Sequence, residues 1–259
     1  MEIGKWVLPI FEREMIHISN EMHSANTVRE RILAEMRNGI FAQCKRLPRE
    51  TVLSEKLGIS RTQLRDVLAA LEQEGYITRR LGVGTIINRH VLNVKSRMDI
   101  EAELLDIIRN NGYEPGVSFM EAVEEAADEM VASKLGVMKG TPIIRVSKVC
   151  MADVRPALYF QDIFNKQIIK EEYTPKDLEP PIFQFLREKC NIEVYMDLTQ
   201  LHAVLSDEKT AKILDVPVGT PLFNMEEVDY DIEGNAIFYS KQYFVDGLFE
   251  QTVLRKRLY

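Results

Sequence analysis

Residues 57–85 read LGISRTQLRDVLAALEQEGYITRRLGVGT, and this stretch decides the fold of the first domain. Gly58 supplies the left-handed backbone position that commonly ends a helix. Ser60 and Gln63 form a Ser-x-x-Gln capping box, which opens a second helix. The apolar residues of that helix recur at helical spacing and predict one buried face; they are Leu64, Val67, Leu68 and Leu71. The stretch therefore predicts two helices joined by a tight turn.

The second helix is followed by the pattern of a small hairpin. Gly75 ends the helix, and two β-prone runs, residues 76–80 and 85–88, flank a tip that contains Gly82 and Gly84. Glycines at such a tip permit a tight turn and a close approach of the backbone to a phosphate or to the minor groove. Two helices and a hairpin in this order predict a winged helix, which suits binding to duplex DNA.

Polar residues cluster at the start of the second helix, where a recognition helix contacts base edges. Arg pairs with guanine, Gln pairs with adenine, and Thr contacts a thymine methyl group or a phosphate. The predicted contact residues are Arg61, Thr62, Gln63 and Arg65. A capped amphipathic surface helix would carry similar charges, and it is the wing that follows which favours DNA binding.

The charge distribution divides the chain into a basic and an acidic part. Residues 24–90 carry 12 Lys and Arg against 7 Asp and Glu, whereas the whole chain has a net charge of −7. A basic module on an acidic chain is the electrostatic pattern expected of a DNA-binding domain joined to a separate domain.

Length and composition fit two domains of ordinary size. The chain has 259 residues, of which 46% are hydrophobic, enough for two cores. No apolar run approaches the length of a membrane span, and the N-terminus lacks a signal-peptide pattern. The three cysteines, Cys44, Cys150 and Cys190, are scattered and do not suggest a disulfide framework. We expect a cytoplasmic protein without a membrane partner.

The predicted boundaries give four segments. Residues 1–23 form an N-terminal extension, residues 24–90 the DNA-binding domain, residues 91–98 a linker, and residues 99–259 the second domain. The extension is compatible with a short helix over residues 10–22 that packs on the domain or on a partner subunit, and equally with a disordered arm. His17 and His23 have no Cys or carboxylate at ligand spacing, so we expect no metal site.

Short strands and helices alternate in the second domain and predict an α+β fold around a mostly antiparallel sheet. Two segments, residues 127–142 and 206–221, share the pattern Asp-Glu-x-x-Ala-x-x-Leu followed by Gly-Thr-Pro. This repeat predicts two related halves of one sheet. Ser206 is the predicted N-cap of a helix over residues 207–214, and residues 181–189 are predicted to form another helix.

The first domain resembles the winged helix of GntR-type bacterial transcription regulators over residues 26–88. The resemblance rests on several motifs, among them LSEKLG at 53–58, SRTQLR at 60–65 and GVGT at 82–85. It implies that Arg61, Thr62, Gln63 and Arg65 make the recognition-helix contacts and that Gly82, beside Gly84, makes the wing contact. The family usually has an Arg directly after its Pro-Ser-Glu. Thr51 stands at that position and Arg49 two residues earlier, and both remain expected DNA contacts.

The second domain resembles the UTRA effector-binding domain of the HutC branch of those regulators, from about residue 103 to 249. The resemblance implies a pocket beside the sheet for a small, often anionic metabolite. The paired arginines common in the family fall at Lys148 and Cys150, and its helix serine falls at Pro181, which predicts a different and less charged effector. The predicted effector-binding residues are Arg145, Lys148, Ile182, Phe183, Tyr239, Lys241 and Tyr243.

These observations predict a metabolite-responsive transcription regulator, a repressor by family resemblance, that acts as a homodimer. Each winged helix would read half of a double-stranded DNA operator with two-fold symmetry, the half-sites lying roughly 34 Å apart. Effector binding would act on DNA affinity through the linker.

No catalytic residue and no cofactor site is predicted, because the sequence has no Gly-x-Ser-x-Gly elbow, phosphate-binding loop or His-x-x-x-His pair. Two alternatives stay open. One is a ligand-binding protein that uses its winged helix for protein contacts, and the other is an enzyme domain fused to a DNA-binding module.

Overall fold

The computed structural model describes residues 25–100 and 104–257, which divide into two compact units. Among these residues, the first unit contains those up to Ile100 and those from Thr252 onward, and the second unit contains those in between. Helices and a mostly antiparallel sheet confirm the predicted α+β class. The predicted N-terminal extension, residues 1–23, lies outside the described residues, as do His17 and His23.

The first unit has the order of elements predicted for a winged helix. Its helices and strands are α1 (Ala25–Arg37), α2 (Glu50–Leu57), α3 (Arg61–Gln73), β1 (Ile77–Arg80), β2 (Gly84–Ile87) and α4 (Arg89–Leu92). The capped turn is confirmed, since Gly58 has φ 69° and the Ser60 hydroxyl accepts a hydrogen bond from the Gln63 amide. Leu64, Val67, Leu68 and Leu71 are buried in the core of this unit, as their spacing predicts.

The boundaries of this unit differ from the predicted ones at two places. The predicted linker begins inside the folded unit, because Val91 and Leu92 belong to α4 and are each only 4% exposed in its core. The end of the chain, predicted to belong to the second domain, belongs to the first unit, where Leu254 packs against the same core. A single apolar residue in a short polar tail has no periodicity, so no sequence pattern marks this contact.

The second unit is built on a six-stranded antiparallel sheet with the strand order β3-β4-β5-β8-β7-β6. Its elements are α5 (Leu104–Asn110), β3 (Pro115–Ala126), α6 (Glu129–Leu135), β4 (Pro142–Ala152), β5 (Arg155–Asn165), two 3-10 turns (Lys166–Ile168, Pro175–Leu178), α7 (Ile182–Phe185), β6 (Met196–Leu205), α8 (Glu208–Leu214), β7 (Pro221–Tyr230) and β8 (Ala236–Val245). The predicted helix over residues 181–189 is a single α turn followed by a π turn, Leu186–Cys190.

The two repeated segments fold alike, as a strand, a capped short helix and a second strand. Asp128 caps α6 by accepting a hydrogen bond from Val131, and Asp207 caps α8 by accepting one from Thr210. The prediction that Ser206 is the N-cap is wrong. Its hydroxyl instead donates to the Pro217 carbonyl and accepts from the Thr220 amide, both at 2.9 Å, and so fastens the Gly-Thr-Pro turn.

Helices cover both faces of this sheet. On one face, here called the α7 face, α7 packs against Val146, Phe164 and Phe238. On the opposite face, here called the α6/α8 face, α6 packs against Ile143, Ile163 and Tyr239, and α8 packs against Val149, Tyr159 and Leu222. Since successive residues of a strand point to opposite faces, even-numbered residues of β4, β5 and β8 belong to the α7 face near the sheet centre.

Candidate nucleic-acid interface and effector site

The first turn of α3 presents a cluster of exposed polar side chains. Arg61, Thr62 and Arg65 are exposed and Gln63 is half-buried. The Arg65 guanidinium donates to the Glu50 carboxylate at 2.8 Å, but 61% of its side chain remains exposed. This pair raises the pKa of Arg65, mainly through the hydrogen bond to Glu50. Both guanidinium groups are therefore at the surface, where a nucleic acid could reach them.

The wing tip, between β1 and β2, has an unobstructed backbone. Gly82 and Gly84 have φ of 75° and 94°, and a Cβ built on either would meet no atom within 4 Å. Arg79 is held by the Glu72 carboxylate at 2.7 Å, whereas Arg80 is exposed beside the tip. Arg80 is a cationic candidate for phosphate contact that the motif analysis did not single out, although the Arg-Arg pair before a Gly-x-Gly tip was a visible signal.

The start of α2 adds two more predicted contacts. Arg49 is the residue before this helix and Thr51 lies in its first turn, and both are exposed. The Arg49 side chain makes no cap hydrogen bond to the helix. Both residues therefore lie at the surface of the first unit.

The predicted effector residues are not brought together, because they divide between the two faces of the sheet. Lys148 lies on the α7 face with Ile182 and Phe183 of α7 itself. The other four lie on the α6/α8 face; they are Arg145, Tyr239, Lys241 and Tyr243. Odd and even positions of a strand point to opposite sides of a sheet, so these seven residues do not line one common pocket.

The four residues of the α6/α8 face have structural partners there. Arg145 donates to the Glu125 carboxylate at 2.8 Å, and Lys241 lies 3.3 Å from the Glu226 carboxylate. Tyr243 stacks on Tyr159 with ring centroids 5.9 Å apart. Tyr239 is completely buried, with the Lys134 ammonium 5.4 Å from the centre of its ring. These contacts account for the charged groups and the aromatic rings of the four side chains, whereas the buried Tyr239 hydroxyl has no hydrogen-bond partner among the described residues.

The α7 face instead contains a buried polar layer, which we define as Lys148, Asp162, Ser240 and Gln242. Each of the four is at most 4% exposed. The strand register places Asp162 opposite Ser240, with Glu227 next in the row, and places Phe160 between Lys148 and Gln242. The layer therefore crosses β4, β5 and β8 beneath α7, with Glu227 of β7 at its edge, and it lies between two apolar clusters.

Hydrogen bonds fix the side chains of the polar layer. The Lys148 ammonium donates to the carbonyl oxygens of Glu179 and Pro180 at 3.1 and 2.6 Å. The Ser240 hydroxyl donates to Asp162 at 2.9 Å. The Gln242 amide donates to Glu227 at 2.7 Å, while its buried carbonyl oxygen has no hydrogen-bond partner among the described residues. One buried acceptor in the layer is thus left open.

Burial shifts the pKa of three groups on this face. It raises the pKa of Asp162 to about 6, although the Lys148 charge and the Ser240 hydrogen bond act in the opposite direction. It lowers the pKa of Lys148, partly offset by the charge of Asp162. It raises the pKa of the Cys150 thiol to about 12. Cys150, at a position where the family commonly has an arginine, is neutral at physiological pH and supplies no charge for an anion.

The start of α7 does not form the anion site that the resemblance suggested. Pro181 precedes the helix, which has only four residues, and a helix of one turn has little dipole to offer an anion. Ile182 is 7% exposed, and the Phe183 ring packs edge-on against Phe238 at 5.7 Å. Ile182 and Phe183 serve to cover the sheet.

The described residues lack two other kinds of feature. They contain no group of three or more His, Cys, Asp or Glu side chains arranged to hold a metal ion. None of their helices has the length and apolar character needed to span a membrane.

Comparison with known protein families matches both units. Residues 24–87 match the family described as bacterial regulatory proteins, gntR family, and residues 110–249 match the UTRA domain. The UTRA match covers more than half of the chain, and the order of the two matches is the order predicted from the motifs.

Individual relatives agree with this assignment. An HTH-type transcriptional regulator of Rhizobium meliloti, RB1450, is 26% identical over 84% of this chain and 88% of its own length. The transcriptional repressor NagR of Bacillus subtilis is 21% identical over 84% of this chain and 88% of its own length. The crystal structure of YydK, a possible transcriptional regulator of Bacillus subtilis, has the same fold, with a TM-score of 0.75 at 18% identity over 90% of this chain and 99% of that one. The chain belongs to the GntR family and is a DNA-binding transcriptional regulator that carries a ligand-responsive UTRA domain.

Proposed function

We propose that the first turn of α3 reads base edges in the major groove, through Arg61, Thr62, Gln63 and Arg65. The observation that carries this is the exposure of both guanidinium groups on the N-terminal turn of a capped helix. Arg side chains at such positions make bidentate contacts with guanine, and each is worth about 1–3 kcal/mol of discrimination.

Phosphate contacts on either side would hold α3 in its groove. Gly82 and Gly84 let the wing backbone approach the minor groove, and Arg49 and Thr51 at the start of α2 contact the backbone of the duplex. Their open surroundings support these roles.

The regulator acts as a homodimeric repressor on an operator with two-fold symmetry, in the cytoplasm where such DNA lies. Two reading heads are needed for two half-sites. The outer strand β6 supports pairing of two copies. Its apolar side chains Leu198, Leu201 and Leu205 are 65%, 47% and 69% exposed, and its sequence contains no Lys or Pro to block an edge. Analytical ultracentrifugation should show a dimer that the Leu201→Arg variant weakens, and a monomeric wild type would refute it.

The effector site lies on the α7 face, at the polar layer, and the protein has no enzymatic activity. Buried charges cost more than apolar residues of similar size, so their retention in the middle of a sheet supports a binding role.

A salt titration of binding to random duplex DNA tests the central part of this function. Phosphate contacts make the logarithm of the binding constant fall linearly with the logarithm of salt concentration. A flat response would favour the alternative that the winged helix binds protein. Mass spectrometry of any stabilising ligand after incubation tests the second alternative, because an enzyme domain would convert it.

A further inference from the structure

The polar layer has one buried acceptor that a hydrogen-bond donor of a ligand would satisfy. Two N–H groups of the Lys148 ammonium are used by the carbonyls of Glu179 and Pro180. Within the described part of the chain, the carbonyl oxygen of the Gln242 side chain has no hydrogen-bond partner. Flipping the Gln242 amide would not give this oxygen a donor. The oxygen would then face the Glu227 carboxylate, and the amide nitrogen would lose the hydrogen bond that it now donates to Glu227.

The net charge of the polar layer together with the neighbouring Glu227 also favours a ligand that brings hydrogen-bond donors. Lys148 contributes one positive charge, and the carboxylates of Asp162 and Glu227 contribute two negative charges when ionised. Cys150 occupies the position of the second arginine that is common in the family, and it is neutral and only 1% exposed. A phosphate placed here would face carboxylates, and its oxygens would add acceptors to a site that already has one unsatisfied.

We propose that this site takes an effector that brings hydrogen-bond donors, a small polyol carrying an amine, and that it rejects phosphorylated ligands. The proposal rests on the placement of the effector site proposed above. The ligand ammonium would pair with Asp162 or Glu227, and a hydroxyl would donate to the open oxygen of Gln242.

A matched ligand series tests the class of effector. The full-length protein is heated with glucamine, sorbitol or sorbitol 6-phosphate, which share one carbon skeleton and differ in charge. Glucamine should raise Tm the most, sorbitol less, and sorbitol 6-phosphate not at all. The Gln242→Leu variant should lose the response to glucamine. The control variant Gln167→Leu, at an exposed position in the 3-10 turn Lys166–Ile168, should keep it.

The outcomes separate the two proposals. A Tm increase that depends on Gln242 but is largest with the phosphate would overturn the ligand class and leave the site in place. An increase with glucamine that Gln242→Leu does not change would overturn the site itself. No increase with either unphosphorylated probe would also contradict the proposal.

A different observation concerns residues 252–257, here called the C-terminal strap. The chain enters the second unit after Ile100 and leaves it before Thr252. Thr252 pairs with the segment that leads in, since its amide donates to the Ser96 carbonyl at 3.2 Å and its carbonyl accepts from Met98 at 2.9 Å. The entry and exit of the effector unit are therefore fastened to each other on the DNA-binding unit.

The strap then ends on the recognition helix. Leu254 fills the space beside Gly75, where an added Cβ would lie 2.4 Å from its side chain. The Lys256 ammonium donates to the carbonyls of Glu72 and Gln73 at 2.6 and 2.5 Å. These carbonyls lie at the C-terminal end of α3, where a cation is favoured.

We infer that the strap is a second coupling element between effector and DNA, beside the linker. It joins the C-terminal end of α3 to β8, which carries Ser240 and Gln242 of the polar layer, through the six residues 246–251. Any displacement of β8 that a ligand causes is transmitted along this covalent connection. Coupling of this kind is reciprocal, so DNA bound at α3 must also affect β8.

Hydrogen exchange with DNA as the probe tests the strap without knowledge of the effector. A duplex selected by the wild-type protein from a random pool should alter amide exchange over residues 236–251. Lys256→Ala should abolish this change while affinity for the duplex stays within threefold of wild type. Arg255→Ala, an equal loss of charge one residue away, should leave it intact. A change that persists in Lys256→Ala, or that is absent from the wild type, would overturn the inference.

Discussion

The reading helix and the polar layer are both polar, yet they use polarity in opposite ways. Arg61 and Arg65 stand on the surface, and the pair that Arg65 makes with Glu50 leaves most of its side chain in water. Lys148 and Asp162 are almost completely removed from water. An exposed charged group is solvated by water when it has no partner, so leaving it unpaired costs little free energy. A buried polar group must instead form hydrogen bonds with its neighbours or with a ligand. The comparison teaches that burial restricts the choice of ligand far more than charge alone does.

The largest expected effect is the pH dependence of the buried layer. The pKa of Asp162 in the folded protein, about 6, lies above its usual 3.8. Folding therefore favours the protonated form, and this contribution is fully present below pH 3.8 and lost as the pH rises through 6. Relative to Asp162→Asn, the wild type should lose on the order of 3 kcal/mol of stability over that interval.

Urea unfolding of both proteins at pH 4 and pH 7 measures this difference. If the stabilities of the two proteins change in parallel, folding does not raise the pKa of Asp162, and the buried side of the comparison fails.

A pair of glycine variants separates wing function from wing stability. Gly82 and Gly112 both have positive φ, and a Cβ on either meets no atom within 4 Å. Gly82→Ala and Gly112→Ala should each lower stability by roughly 1–2 kcal/mol, because an L-residue resists this backbone conformation. Only Gly82→Ala should also weaken DNA binding in a gel-shift titration. Equal DNA affinities would remove the wing from the interface.

The cap of α3 has a smaller effect. Ser60→Ala removes the acceptor for the Gln63 amide and should lower the free energy of unfolding by about 1 kcal/mol. Ser118→Ala, at an exposed strand position of the second unit, is the control. Thermal unfolding that does not distinguish the variants would mean that Ser60 does not stabilise the reading helix.

The smallest effect is expected at the exposed ion pair. Glu50→Gln should change stability by less than about 1 kcal/mol, since exposed pairs contribute little. The same change frees Arg65 and should slightly increase affinity for duplex DNA at low salt. A fall in affinity would show instead that Glu50 positions Arg65 for binding.

The two regions also differ in how far sequence predicts them. The predicted DNA-binding elements, α3 and the wing, depend on local features of the sequence. The Gly58 turn, the Ser60 cap and the wing glycines all lie within 30 consecutive positions. Such features follow from backbone conformation alone. The fold class and the strands of the second unit were predictable for the same reason, through their alternating pattern and repeated turns.

The proposed effector site was less predictable because it joins strands that are far apart in sequence. Lys148 was predicted from its place in the family motif, but Asp162, Ser240 and Gln242 were missed. Sheet register and face could have linked Asp162 to Ser240, yet register cannot be read from one sequence when both faces are covered by helices. The strap was missed because Leu254 and Lys256 lie in a tail with no regular pattern.

The most direct test of the account is the affinity of two arginine variants for duplex DNA selected by the wild-type protein. Arg61→Ala should weaken binding by about 1–3 kcal/mol and relax the base preference at one position. Arg187→Ala removes an equally exposed charge from the second unit and should bind like wild type. Unchanged affinity and base preference in Arg61→Ala would contradict the claim that α3 reads DNA.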